Sequence, residues 1–300
     1  KLTAPIRFTN SLEGASFNAK MLRDVATSPD DKTVIFHAVG HLWKRVGNSN
    51  PTRLTQDNTH FEYQPSFSAD GKKILYTTWS DATQSSIREL DLSTGASRIL
   101  NTELGFYYQP RFSPNGQHVV FVKAGGSSLT GSLNSLNRGI FTTPINTWAP
   151  TKIAAGAEPQ FSPDSKRVFY MSGSDLAKKV MRVGIHGENP REVFNLKYVD
   201  SVQFSPDGKH IAFTELYNAY VAPLPAFGGS IELSKDTTAI PVTALTKSAG
   251  PYLHWSNANT VHWMLGNEYH TRNITSGQNT APSKISLSVA SDAPNDTVAF

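Results

Sequence analysis

Short apolar stretches recur along the chain on either side of one polar phrase, a pattern that predicts β-strands joined by tight turns. Before the phrase stand Gln64-Pro65-Ser66-Phe67, Gln109-Pro110-Arg111-Phe112, Glu158-Pro159-Gln160-Phe161 and Ser201-Val202-Gln203-Phe204. After it stand Val34-Ile35-Phe36, Ile74-Leu75-Tyr76, Val119-Val120-Phe121, Val168-Phe169-Tyr170 and Ile211-Ala212-Phe213. The phrase itself starts at Ser28, Ser68, Ser113, Ser162 and Ser205, typically as Ser-Pro-Asp-Gly-Lys, with a degraded sixth copy at Ser256. Its serines are 40, 45, 49, 43 and 51 residues apart. A unit of that size cannot bury its core face alone, and a four-stranded propeller blade is the all-β unit that fits. Six copies predict an all-β, six-bladed β-propeller with four strands per blade.

The turn chemistry is explicit in the phrase. Pro pre-sets φ, Asp or Asn bonds back to the turn backbone, and Gly supplies a positive φ at the exit. Asp31 and Ser165 replace that Gly in two copies. Third strands follow near Leu42, Ile87, Ile140, Val180 and Tyr220, and fourth strands open with a phrase such as Pro150-Thr151-Lys152-Ile153. A strand-opening Pro suits an outer edge, where its missing N–H is not needed. In the sixth unit this fourth phrase is assigned to the N-terminus, Pro5-Ile6-Arg7-Phe8-Thr9, so that an N-terminal strand closes the ring. Two stretches exceed the blade template: a Gly/Ser/Asn-rich loop at Gly125 to Asn137, and Pro223 to Ile240, which holds an extra strand at Ser230 to Leu233. The propeller is assigned to residues 1–282. Residues 283–300, with their alternating Ile285, Leu287 and Val289, are read as a C-terminal extension leading into a following domain.

Composition changes this picture little. Net charge is +4 at pH 7, and Lys and Arg are spread along the chain, which gives nucleic-acid binding no support. No apolar run approaches the ~18 residues of a membrane span. The absence of cysteine excludes disulfides, thiolate metal sites and a cysteine nucleophile.

Candidate chemistry lies where the chain enters each inner strand, at the mouth of the central channel. Those residues are Glu62, Tyr63, Gln64, Tyr108, Gln109, Glu158, Tyr198, Asp200, Tyr252 and His254. Aromatics mixed with carboxylates and amides suit a small ligand, a cation or a peptide end. The alternative is that they line and hydrate the channel. No His-x-His pair, Gly-x-Ser-x-Gly elbow, Walker loop or dinucleotide fingerprint occurs, so no catalytic residue, metal ligand or cofactor site is assigned within these residues.

The turn phrases make the chain resemble the TolB-type propeller over about residues 23 to 275. Nothing in it corresponds to the smaller α/β domain that precedes the propeller in TolB. Tyr220-Val221-Ala222-Pro223-Leu224-Pro225, Ile240-Pro241-Val242-Thr243 and Gly250-Pro251-Tyr252-Leu253-His254-Trp255-Ser256 are similar to the propeller half of large bacterial amidohydrolases related to imidazolonepropionase. That resemblance implies a non-catalytic module, periplasmic or secreted, that gates or positions substrate, or mediates assembly, for an adjacent hydrolase domain. A divalent metal such as zinc would belong to that domain. Two other readings stand beside it: a free-standing TolB-like protein-interaction scaffold, and a propeller enzyme such as a lyase acting at its own channel.

Overall fold

The computed structural model describes residues 16–124, 137–174, 177–226 and 230–290. They form an all-β propeller of six blades, each an antiparallel up-and-down sheet whose first strand lines the centre. The first strands are Arg23–Thr27, Phe61–Phe67, Phe106–Phe112, Ala157–Phe161, Val199–Phe204 and His254–Trp255. Most of the long loop at 125–136, the Phe227-Gly228-Gly229 run and the tail from 291 lie outside the described residues. The extra strand in the fifth unit is Ile231–Leu233. It pairs in parallel with Arg191–Leu196 and covers the outer edge of blade four, making that sheet five-stranded.

The turn phrases fold as their chemistry predicts. In the first, the Ser28 hydroxyl donates to Asp30 (2.6 Å), which also accepts from the Lys32 N–H (3.2 Å), while Thr33 N–H donates back to Ser28 Oγ (2.9 Å). In the first five copies the fourth position is left-handed: Gly71, Gly116 and Gly208 at φ 70°, Asp31 at 61° and Ser165 at 60°.

Strand alternation then builds the core. On each second strand, successive residues face opposite neighbouring blades. Ile35 packs with Ile74 and Tyr76 of blade two, whereas Val34 and Phe36 pack with Met264 of blade six. Leu75 turns to Val119 and Phe121, Val120 to Val168 and Tyr170, Phe169 to Ile211 and Phe213, and Ala212 to Val261 and Trp263. The core is thus six apolar layers, one in each gap between blades.

The last blade closes differently from the expectation. The sequence assigns its outer strand to residues 6–9, which lie outside the described residues. The edge of Glu268–Asn273 is taken instead by Ser283–Lys284, with Lys284 opposite Glu268 and Ser283 opposite Tyr269. The signal is present in the chain: Pro282-Ser283-Lys284-Ile285 repeats the wording of Pro150-Thr151-Lys152-Ile153. Ile285 (1% exposed) and Leu287 (3%) fill the layer between blades six and one with Leu22, Phe36 and Met264. The boundary expected between 282 and 283 therefore falls inside the last blade, and residues 283–290 are part of the propeller. The chain's two sides still meet, because Ser16–Asn18 pairs with Ser288–Ala290 and Leu22 N–H donates to the Gly266 carbonyl (2.9 Å).

Candidate functional site

The first strand of each of blades one to five carries a break in register just before its last few residues. At the break in blades one to four, and at the matching position of blade six, one non-glycine residue adopts a left-handed backbone. These are Asp24 (φ 47°), Gln64 (51°), Gln109 (52°), Glu158 (52°) and Tyr252 (57°). Each stands four residues before its turn serine. The bulge re-aims the side chain along the channel wall, toward the neighbouring blade.

These side chains link the blades in series. Asp24 Oδ2 accepts from Gln64 N–H (3.3 Å), Gln64 Oε1 from Gln109 N–H (2.8 Å), and Gln109 Oε1 from Glu158 N–H (2.9 Å). The Ser201 hydroxyl donates to Glu158 Oε2 (3.0 Å). A bulge leaves a ladder N–H unpaired, and the preceding blade supplies the missing acceptor.

Inside this ring lies a channel of about 840 Å³. A second tier of residues, two before each turn serine, lines it with Ser66, Arg111, Gln160, Gln203 and His254. Its polar groups also bridge blades: Ser66 Oγ donates to the Pro110 carbonyl (2.6 Å), Gln160 Nε2 to the Val202 carbonyl (2.6 Å), and Arg111 to Gln203 Oε1 (3.3 Å). Arg111 is held below its usual guanidinium range by burial, against the pull of Glu158. Burial likewise raises the Glu158 carboxyl, opposed by the Ser201 hydroxyl and Arg111. Burial pushes His254 down to about 3, with the ring of His262 acting in the same direction. Neutral His254 donates from Nδ1 to the Tyr252 carbonyl (2.8 Å), leaving Nε2 to accept from Thr27 (2.8 Å).

Of the sequence candidates, Gln64, Gln109, Glu158, Tyr252 and His254 line the channel. Tyr63, Gln64 and Tyr108 line a smaller side pocket. The others sit elsewhere. Glu62 is fully buried (0% exposed), accepting from Leu42 N–H (2.9 Å) and the Thr55 hydroxyl between blades one and two. It stands two residues before Gln64, where unbroken alternation would give both one face; the bulge between Tyr63 and Ser66 shifts that alternation, so Gln64 turns to the channel and Glu62 to the gap between blades. Asp200 is exposed and pairs with Lys178 (3.3 Å), and Tyr198 is exposed beside the Lys197 ammonium. Asp24, Arg111, Gln160 and Gln203 complete the channel wall, and their constant offset from the turn serine is the signal that marks them.

One trio, with Ser256 and His262 buried and Asp31 exposed, has the composition of a hydrolytic triad without its geometry. Ser256 Oγ (2.8 Å) and Asp31 Oδ1 (3.2 Å) both approach Nε2 of His262, while Nδ1 faces Tyr269 and Thr271. A relay needs serine and carboxylate on opposite ring nitrogens. This network stitches blade six to blade one. Among the described residues no group of three His, Asp or Glu is placed to hold a metal ion.

Solved structures with this architecture include TolB from Acinetobacter baumannii, at a TM-score of 0.61 and 18% identity over 91% of this chain. This chain covers 65% of that protein. The TolB assigned from Agrobacterium tumefaciens gives 0.52 and 15%, covering 87% of this chain and 80% of its own. Oligogalacturonate lyase from Vibrio parahaemolyticus gives 0.55 and 14%, covering 80% and 73%. At such identities the likeness is one of fold. No curated protein matches the sequence. Residues 46–222 match the family model of the TolB β-propeller domain, PD40, which spans more than half of the chain. Matched across its central blades and carrying the repeated turn phrase beyond them, the chain belongs to the PD40 family of TolB β-propeller domains.

Proposed function

We propose that this propeller is a non-catalytic module of a larger bacterial metal-dependent amidohydrolase, periplasmic or secreted, which gates or positions substrate or mediates assembly. The observation that carries the non-catalytic part is the serial ring at the channel mouth. Asp24, Gln64, Gln109 and Glu158 each commit an acceptor to the next blade. Groups fixed in that way line and shape an opening; proton transfer needs a group free to exchange partners with substrate. The amidohydrolase part rests on the three resembling segments, two of which meet where Val221, Leu253 and Trp255 pack between blades five and six, while Thr243 of the third pairs with Val221.

A free-standing interaction scaffold is the second reading. It is favoured by exposed apolar side chains in loops and at a strand start at one end of the blades, among them Met21, Val39, Phe61, Leu104, Tyr198 and Tyr217. One measurement tests the non-catalytic reading and a second separates module from scaffold. Screening the protein against amides, esters and lactams, with and without zinc or manganese, is expected to give no turnover. Turnover abolished by Glu158→Gln overturns the non-catalytic reading. Sequencing the reading frame past Phe300 is expected to show a hydrolase domain with a His-x-His pair, and a stop codon there favours the scaffold.

A further inference from the structure

Beside the channel mouth, between the entry strands of blades two and three, lies a second cavity of about 320 Å³. Its walls are aromatic: Tyr63, Trp79, Phe106 and Tyr108, with Trp79 stacked on Phe106 at 4.8 Å between centroids. Among the described residues Asp24 is the one charged side chain lining it. One Asp24 oxygen holds Gln64 N–H, and among the described residues no hydrogen bond takes Oδ1. Thr77 also lines the pocket. It is 3% exposed, and its hydroxyl has no hydrogen-bond partner among the described residues. Gln64 Oε1 is engaged with Gln109 N–H, and Ser85 with the Tyr107 backbone.

We infer that this pocket binds an organic ammonium group, a lysine side chain of a partner polypeptide or a free alkyl amine. Three features select that chemistry together. Aromatic faces attract a cation through their quadrupole and favour one that carries a hydrocarbon stem. Oδ1 of Asp24 supplies the counter-charge, and the Thr77 hydroxyl supplies an acceptor for an ammonium N–H. A neutral apolar occupant would cover a carboxylate and a hydroxyl without satisfying either, at a cost that offsets much of its own burial. An anion would meet Asp24 directly. The site is off the channel axis and does not depend on the amidohydrolase reading.

The test is calorimetric titration with three probes: cadaverine, Nα-acetyl-lysine methylamide, and its neutral counterpart Nα-acetyl-norleucine methylamide. At least one ammonium probe is expected to bind about tenfold more tightly than the neutral one, and to weaken as salt is raised. The tighter of the two ammonium probes identifies the source as free amine or lysine side chain. Asp24→Asn keeps an acceptor for Gln64 N–H and removes the charge, so it should weaken ammonium binding about tenfold and leave the neutral probe unchanged. Trp79→Phe keeps the stack on Phe106 and reduces the cation-facing surface, for a loss of about fivefold, with the melting temperature confirming the fold. Equal affinity for charged and neutral probes overturns the inference. So does unchanged ammonium binding in Asp24→Asn, or no binding of either ammonium probe up to about 10 mM.

Discussion

A left-handed backbone under a side chain costs roughly 1–2 kcal/mol, and the channel mouth holds it at Asp24, Gln64, Gln109, Glu158 and Tyr252. In the first four the side chain offsets the strain by giving the adjoining blade its acceptor. Gln109 separates the two effects. Gln109→Ala keeps the strain and leaves Glu158 N–H without an acceptor, which should destabilise by about 1–3 kcal/mol. Gln109→Gly loses the same bond and relieves the strain, so it should be more stable than the Ala variant by about 1 kcal/mol in urea denaturation. Equal stability of the two would show that the backbone is not strained there. His254 gives a pH prediction at the same scale. Its folded pKa, about 3, lies below the ordinary 6.5, so the unfolded chain binds the proton first as pH falls. Its contribution is therefore complete above pH 6.5 and is lost between there and about 3, by on the order of 1.4 kcal/mol per unit. Glu158 and Glu62, whose pKa values are raised, contribute with the opposite sign, so the test is a difference. Stability measured from pH 7 to 4 should fall less steeply in His254→Gln than in the wild type.

At the scale of elements, legibility followed repetition. First and second strands recur beside an unmistakable turn, and alternation fixed which face of Val34, Ile35 and Phe36 meets which neighbour. Outer strands are two to six residues long and half polar, so only their opening phrase marks them. Assigning the sixth copy to Pro5 instead of Pro282 moved both the closing strand and the domain boundary. The site was half legible for a related reason. Its offset from the serine is constant, yet whether a side chain there faces the channel or the inter-blade gap depends on a bulge that shifts alternation by one. Glu62 fell on the wrong side of that shift and Arg111 on the right one. The reassigned closing strand makes a prediction of its own. Ile285→Ala or Leu287→Ala should cost about 2–5 kcal/mol, as buried aliphatic truncations do. Amides of 283–287 should exchange as slowly as those of the blade cores. Fast exchange there would return the segment to the status of a detachable extension.

For the molecule as a whole, the decisive interface is the one between blades six and one, where the chain's two sides meet and covalent continuity gives no help. The sixth turn phrase is degraded there because it serves the seam. Asp31 accepts from Asn257 (2.8 Å) and lies 3.2 Å from His262, joining the first turn to the last blade. Ser165, the other substitute for the turn glycine, likewise receives Asn115 N–H of the preceding blade (3.1 Å). By contrast, a Cβ at Gly208 would stand 2.8 Å from Pro163, so glycine is kept where the preceding turn crowds it. Asp31→Gly thus sets local and global effects against each other. It restores the glycine of the other turns at φ 61° and relieves about 1 kcal/mol of strain, while removing the partner of a buried histidine. Losing one side of such a pair costs about 1–3 kcal/mol or more, so the seam term should win and net stability should fall. Hydrogen exchange locates the loss. Blades one and six should exchange faster in Asp31→Gly while blades three and four keep their protection, because sub-global opening starts at the weakened contact. Uniform acceleration through all six blades would mean that the ring opens only as a unit and that this seam is no weaker than its other joints.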